Sequence, residues 1–139
     1  MKKWLGAVVI ATGLLVACGN NEDAINEQTE QTTNDADMQQ MIEQSLRQKD
    51  ELITYRNEGN EIYSEVKLTP QTKINHRAVA VQTYEKASKR LLKVDDWEVL
   101  TMTFNNVGTI SFNKSEAVEG DDGLYFSGEE MMKQLNEEN

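Results

Sequence analysis

Residues 75–112 read NHRAVAVQTYEKASKRLLKVDDWEVLTMTFNNVGTISF, and the change of period inside this stretch decides the fold class. At about 100° per residue, Ala80, Val81, Tyr84, Ala87, Leu91 and Leu92 fall within roughly 80° of Tyr84. Gln82, Lys86, Lys89, Arg90 and Lys93 gather on the far side, which predicts an amphipathic helix over 75–93. Asp95-Asp96 interrupt that pattern. From Trp97 the period drops to two, with Leu100, Met102 and Phe104 facing one way. Asn105-Asn106-Val107-Gly108 turn the chain, and Ile110 and Phe112 continue a partner strand.

Working upstream, Asp37 can cap a helix running to about Lys49, with Met38, Met41, Ile42 and Leu46 at helical spacing. Leu52-Ile53-Thr54-Tyr55 and the run Ile62 to Leu68 then flank Asn57-Glu58-Gly59-Asn60, the punctuation of a β-hairpin. Ile62, Val66 and Leu68 share one face of the second strand. Pro70 ends it, having no amide hydrogen for a ladder. Downstream, residues 114–123 read as an acidic loop, and Leu124-Tyr125-Phe126 as a short edge strand. Ser127 and Glu130 have the spacing of a capping box ahead of a last helix carrying Met131, Met132 and Leu135. The order helix, hairpin, helix, hairpin, helix predicts a single α+β domain over 37–139. Its expected form is a small antiparallel sheet of about four strands, with the amphipathic helix across one face and flanking helices. Trp97, Phe104 and Phe112 fall at core positions, whereas Tyr55, Tyr63 and Tyr125 read as cross-strand surface residues.

The start of the chain has a different character. Lys2 and Lys3 precede an apolar run from Trp4 to Val16, then Ala17 and Cys18, the only cysteine. That is the charged, apolar and small-residue order of a secretory signal. The run is shorter than the roughly 20 residues a spanning helix needs. Leu15-Val16-Ala17-Cys18 resembles the lipobox of bacterial lipoproteins. The resemblance covers residues 1–18 and implies a signal peptide over 1–17, cleavage between Ala17 and Cys18, and diacylglycerol on the Cys18 thiol. Two acyl chains would hold the protein stably on the outer side of a cell membrane, where a single chain binds only marginally. Residues 19–36 (GNNEDAINEQTEQTTNDA) contain only Ala24, Ile25 and Ala36 as apolar residues, so 18–36 is expected to be a lipidated, disordered, acidic tether. The Asn-, Lys- and Glu-rich usage points to a low-GC Gram-positive source. With no second cysteine, an intrachain disulfide cannot form.

Charge narrows the partners. The 14 basic and 24 acidic residues become 12 and 24 once Lys2 and Lys3 are removed. Such an acidic body is repelled by anionic lipid and by nucleic acid, so no nucleic-acid partner is expected. The charge is unevenly spread. Between Lys73 and Lys93 six basic residues stand against Glu85 alone, while from Val94 onward Lys114 and Lys133 stand against eleven acidic residues. Lys86, Lys89, Arg90 and Lys93, at i, i+3, i+4 and i+7, form either a solvated helix face or a contact patch for an acidic partner.

Catalytic equipment is sparse. His76 is the only histidine, and it reads as a surface residue. Neither a Gly-x-Ser-x-Gly turn nor a phosphate-binding Gly loop occurs. Asp95-Asp96 and the loop carboxylates Glu116, Glu119, Asp121 and Asp122 sit in polar surroundings that do not suggest the burial acid/base work needs. An EF-hand spacing is missing, leaving only weak calcium binding as a thought. No cofactor, no metal and no enzymatic activity are expected. The reading is a membrane-anchored extracytoplasmic lipoprotein that binds another envelope protein. Its build, a tether plus about 100 residues, resembles accessory, immunity or exclusion factors. The alternative is a lipoprotein that binds a small ligand or ion.

Overall fold

Two aspartates, Asp35 and Asp37, occupy the first turn of α1 (Asp35–Glu43), where carboxylates suit the positive end of the helix dipole. The computed structural model describes residues 34–138, so Ala17, Cys18 and residues 19–33 lie outside it. Helix α1 is shorter than the expected 37–49 and starts two residues earlier. Met38 and Ile42 are buried. Beyond Glu43, the Ser45 hydroxyl donates to the Met41 carbonyl at 2.8 Å, a local bond that competes with helical continuation.

Strands β1 (Glu51–Glu58) and β2 (Glu61–Lys67) form the expected antiparallel hairpin. Its turn places Gly59 at φ 57° and Asn60 at φ 76°. Positive φ at both central residues is the two-residue turn whose twist matches that of the flanking strands. A bulge lies between Leu52 and Thr54.

Helix α2 (His76–Leu91) begins at Asn75, whose side chain accepts from the amides of Arg77 and Ala78 at 3.0 and 3.3 Å. Ala80, Tyr84, Ala87 and Leu91 are buried. The Tyr84 hydroxyl donates to the Leu100 carbonyl at 2.7 Å. Burial pushes that phenol far above its usual pKa, so it stays a neutral donor. The turn into the next strand is fixed by Trp97, which is buried and donates from Nε1 to the Leu91 carbonyl at 2.7 Å.

Strands β3 (Val99–Phe104) and β4 (Gly108–Asn113) form the second hairpin. The expected fully antiparallel sheet is corrected here. The order is β1-β2-β3-β4, and β2 pairs with β3 in parallel, so the sheet is mixed. The reason is topological. A connection containing a 16-residue helix returns the chain to the end where β2 began, so β3 runs in the same direction. Each hairpin remains antiparallel internally. Ile62, Val66, Leu100, Met102, Phe104, Ile110 and Phe112 line one buried face. Thr101 with Ser111 (2.7 Å) and Thr103 with Thr109 (3.1 Å) form cross-strand hydroxyl pairs on the other.

After a 3-10 turn at Lys114–Glu116, two short strands, β5 (Val118–Gly120) and β6 (Gly123–Tyr125), make a separate two-stranded sheet. The expected acidic loop is thus partly a hairpin, and Leu124 and Tyr125 do not extend the main sheet. Phe126 is the reason. It is buried and stacks on Phe112 with centroids 4.8 Å apart, which draws the chain off the plane of the sheet. Helix α3 (Gly128–Glu137) follows, with the Ser127 hydroxyl accepting from the Glu130 amide at 3.4 Å and Met131 and Leu135 buried. Among the described residues no helix is long and apolar enough to cross a membrane.

Candidate partner-binding surface

The sequence-predicted basic residues Lys86, Lys89, Arg90 and Lys93 are all exposed. They separate by role. Arg90 donates from Nη1 to Gln44 Oε1 at 3.0 Å, tying α2 to the end of α1. Lys86, Lys89 and Lys93 enter no ion pair among the described residues. Three unpaired ammonium groups on one helical side give a cationic row that is free to meet an external anion.

What stands beside that row is the β5–β6 hairpin. Its base is held by Phe126 and by the 3-10 turn, where the Asn113 side chain and Glu116 form a reciprocal capping box. Glu116 is therefore occupied as a cap. Its tip is the tight Asp121-Asp122 turn between the paired Gly120 and Gly123. Gly120 is required by its neighbour: a Cβ there would meet the Tyr125 ring at 2.7 Å. Held this way, the hairpin exposes Val118, Leu124 and Tyr125, at 45, 46 and 39%, three of the five exposed large hydrophobic side chains among the described residues. Val118 and Tyr125 are a cross-strand pair on one face of this hairpin, and Leu124, paired with Glu119, points from the other.

Hairpin and helix face one another across two shallow grooves. One, of about 420 Å³, runs between Lys89 and the hairpin segment Gly120 to Tyr125. The other, of about 180 Å³, is lined by Lys89, Leu92, Lys93, Asp122, Gly123 and Leu124. The basic face and the acidic loop, 30 residues apart in sequence, are thereby brought together, with Leu92 and Leu124 as the apolar floor. Lys86 lies one turn earlier in α2 and lines neither groove. In the sequence Leu124 and Tyr125 read as part of a short edge strand after the acidic loop, and nothing there pairs them with α2.

The remaining candidates disperse. Asp95, Asp96, Glu119, Asp121 and Asp122 are exposed. The His76 ring is half-buried, with Nε2 accepting from the Gln71 amide at 3.4 Å. No group of three His, Cys, Asp or Glu residues among those described could hold a metal ion. Sequence reasoning missed one buried carboxylate, Asp50. It accepts from Arg47 Nε at 2.6 Å, from Arg47 Nη2 at 2.8 Å and from the Thr69 amide at 2.8 Å. Burial alone would raise its pKa, yet the Arg47 guanidinium and the Thr69 N–H hold it below the usual carboxylate range. The network joins the α1–β1 connection to the end of β2 and is structural. Tyr55, expected on the surface, is half-buried with its hydroxyl enclosed, and burial, then Asp35, push its pKa up to about 12.

Comparison with protein-family models, with curated proteins and with solved structures finds no match to this chain.

Proposed function

We propose that this chain is a membrane-anchored extracytoplasmic lipoprotein, held by acyl chains on Cys18, whose globular part binds another envelope protein without catalysing a reaction. An accessory, immunity or exclusion role fits that build. The observation that carries the docking reading is the juxtaposition, across the two grooves, of the cations Lys89 and Lys93, which enter no ion pair among the described residues, with the exposed apolar side chains of Leu124 and Tyr125 on an anchored hairpin. Leu124, which lines both grooves, and Tyr125, which lines the larger, supply affinity, and the lysines steer and orient an acidic partner. Each exposed ion pair formed would contribute less than about 1 kcal/mol, so Leu124 and Tyr125 are the expected anchors.

The test is crosslinking and affinity recovery of the lipidated protein from its own membranes. A charge-reversal variant (Lys86→Glu, Lys89→Glu, Lys93→Glu) and a Leu124→Ser variant should each lose the recovered partner while melting within about 2 °C of the parent. Recovery unchanged in both would refute docking at this surface. For the address, Cys18→Ser should release the protein from the membrane and abolish fatty-acid labelling. Retention of residues 1–17 in the mature protein would overturn it. The small-ligand alternative has its own support in the 420 Å³ groove, and a melting shift with a small solute would favour it.

A further inference from the structure

The two edges of the main sheet are built differently. On β4 the residues facing away from β3 alternate, and each of their amides is taken by a side chain. Thr109 N–H donates to Glu138, Ser111 N–H to Gln134 Oε1 at 2.8 Å, and Asn113 N–H to Glu116 Oε2 at 2.7 Å. Gln134 also donates from Nε2 to the Ser111 carbonyl at 3.0 Å, so one side-chain amide reproduces both bonds that a neighbouring strand would make. This edge is closed.

The other edge is open. Glu58 and Glu61 flank the two-residue turn, which makes them a hydrogen-bonded pair. The alternation of antiparallel ladders then makes Arg56 with Tyr63, and Thr54 with Glu65, bonded pairs as well. Tyr55 and Asn57 therefore direct their N–H and C=O groups away from β2, and no group among the described residues takes them. On the face turned away from the core the exposed charges around this edge are Glu51, Glu58, Glu61 and Glu65 against Arg56 and Lys67, and the exposed Asp35 accepts from Asn57 Nδ2 at 2.6 Å. Both cations are already engaged, Arg56 with Glu58 at 2.9 Å and Lys67 with Glu51 at 3.8 Å.

We infer that the β1 edge accepts an extended segment of another protein by strand addition, with basic side chains on the face that carries these carboxylates. Main-chain bonds to Tyr55 and Asn57 supply the register, and the surplus negative charge selects the partner's sign. A second copy of this chain is disfavoured because it would bring an identical net-negative strip against the first. The bulge at Ile53 and the charges of Glu51, Arg56 and Glu58 are the usual guards against indiscriminate edge pairing. This surface is separate from the one on α2 and stands or falls without it.

The experiment places a photo-crosslinking residue at Ile53, 49% exposed, in the full lipidated chain on its own membranes. A crosslink to another protein should fall at least about tenfold in Asn57→Pro, and persist in the α2 charge-reversal variant and in Asn57→Ala, which loses the same Asn57 Nδ2–Asp35 bond of 2.6 Å but keeps the outward N–H. Equal crosslinking in Asn57→Pro and Asn57→Ala, a crosslink to a second copy or to the chain's own tether, or no crosslink at all would overturn the inference. Should Asn57→Pro fail to fold, amide exchange on the unaltered protein decides. A synthetic heptapeptide alternating Lys and Val should slow exchange at Tyr55 and Asn57 at least tenfold, and one alternating Glu and Val should not. Protection by neither peptide, or by both equally, counts against it.

Discussion

Replacing Asp50 with Asn removes one negative charge from a fully buried side chain and keeps its shape, which makes the cost calculable. Asp50 accepts three hydrogen bonds, two from the Arg47 guanidinium and one from the Thr69 amide. Bonds to a charged group are worth about 1.5–3 kcal/mol, and removing one partner of a fully buried pair costs about 3–5. Arg47, however, retains 26% side-chain exposure, so its freed guanidinium can turn to water. That places the loss below the range for a fully buried pair and within that for one charged hydrogen bond, about 2 kcal/mol. The Asn carbonyl can still serve Thr69. For a domain of this size the drop corresponds to roughly 8–15 °C in melting temperature.

The pH dependence provides a sharper check. The folded pKa of Asp50 is depressed, so its contribution is complete above the unfolded value of about 3.9 and disappears as pH falls through the lower folded value. The gap between parent and Asp50→Asn should therefore be constant from pH 7 to about 5 and close as pH drops below 4. Urea unfolding of both proteins at several pH values measures it. A gap that is absent at pH 7, or equally large at pH 3, would refute the assignment of Asp50 as an ionised clamp.

Tyr84→Phe should cost about 1 kcal/mol by removing a buried hydrogen bond to the Leu100 carbonyl, which keeps only its ladder bond to β4, measurable by denaturant midpoint at unchanged slope. Gln134→Ala with Glu138→Ala should uncover the β4 edge. Amide exchange at Thr109 and Ser111 should rise and the protein should aggregate more readily, whereas exchange in β2 should not change. Asn60→Val should destabilise by about 1–2 kcal/mol because a β-branched residue tolerates the positive φ of that turn poorly, and Asn60→Gly should be nearly neutral. Gly120→Ala should displace the Tyr125 ring and weaken any partner that docks on the hairpin, with little effect on melting temperature.

The sequence reading was most accurate where the physics is local. Period-two runs at 52–68 and 99–112 and the Gly59-Asn60 turn were readable because pleat and turn chemistry act within a few residues. The α2 helix was readable because its apolar stripe repeats at 3.6. Boundaries shifted where a nearby side chain intervened, as Ser45 did at the end of α1. Tyr55 was misplaced because period two assigns a face of the strand but says nothing of what covers that face.

Composition and short-range pattern alone determined that this chain is α+β, that its charge is divided between a basic helix and an acidic end, and that residues 1–18 resemble a lipoprotein signal. The tertiary structure decided the parallel pairing of β2 with β3, which depends on where a helix returns the chain. It also decided that Lys89 and Leu124 line the same grooves, because the stacking of Phe126 on Phe112 sets where the hairpin stands. Finally, it decided that one sheet edge is closed by Gln134, Glu138 and Glu116 while the other is open. The bonds of Gln134 and Glu138 join residues more than 20 apart and leave no periodic trace in the sequence, since any polar side chain of suitable reach would serve.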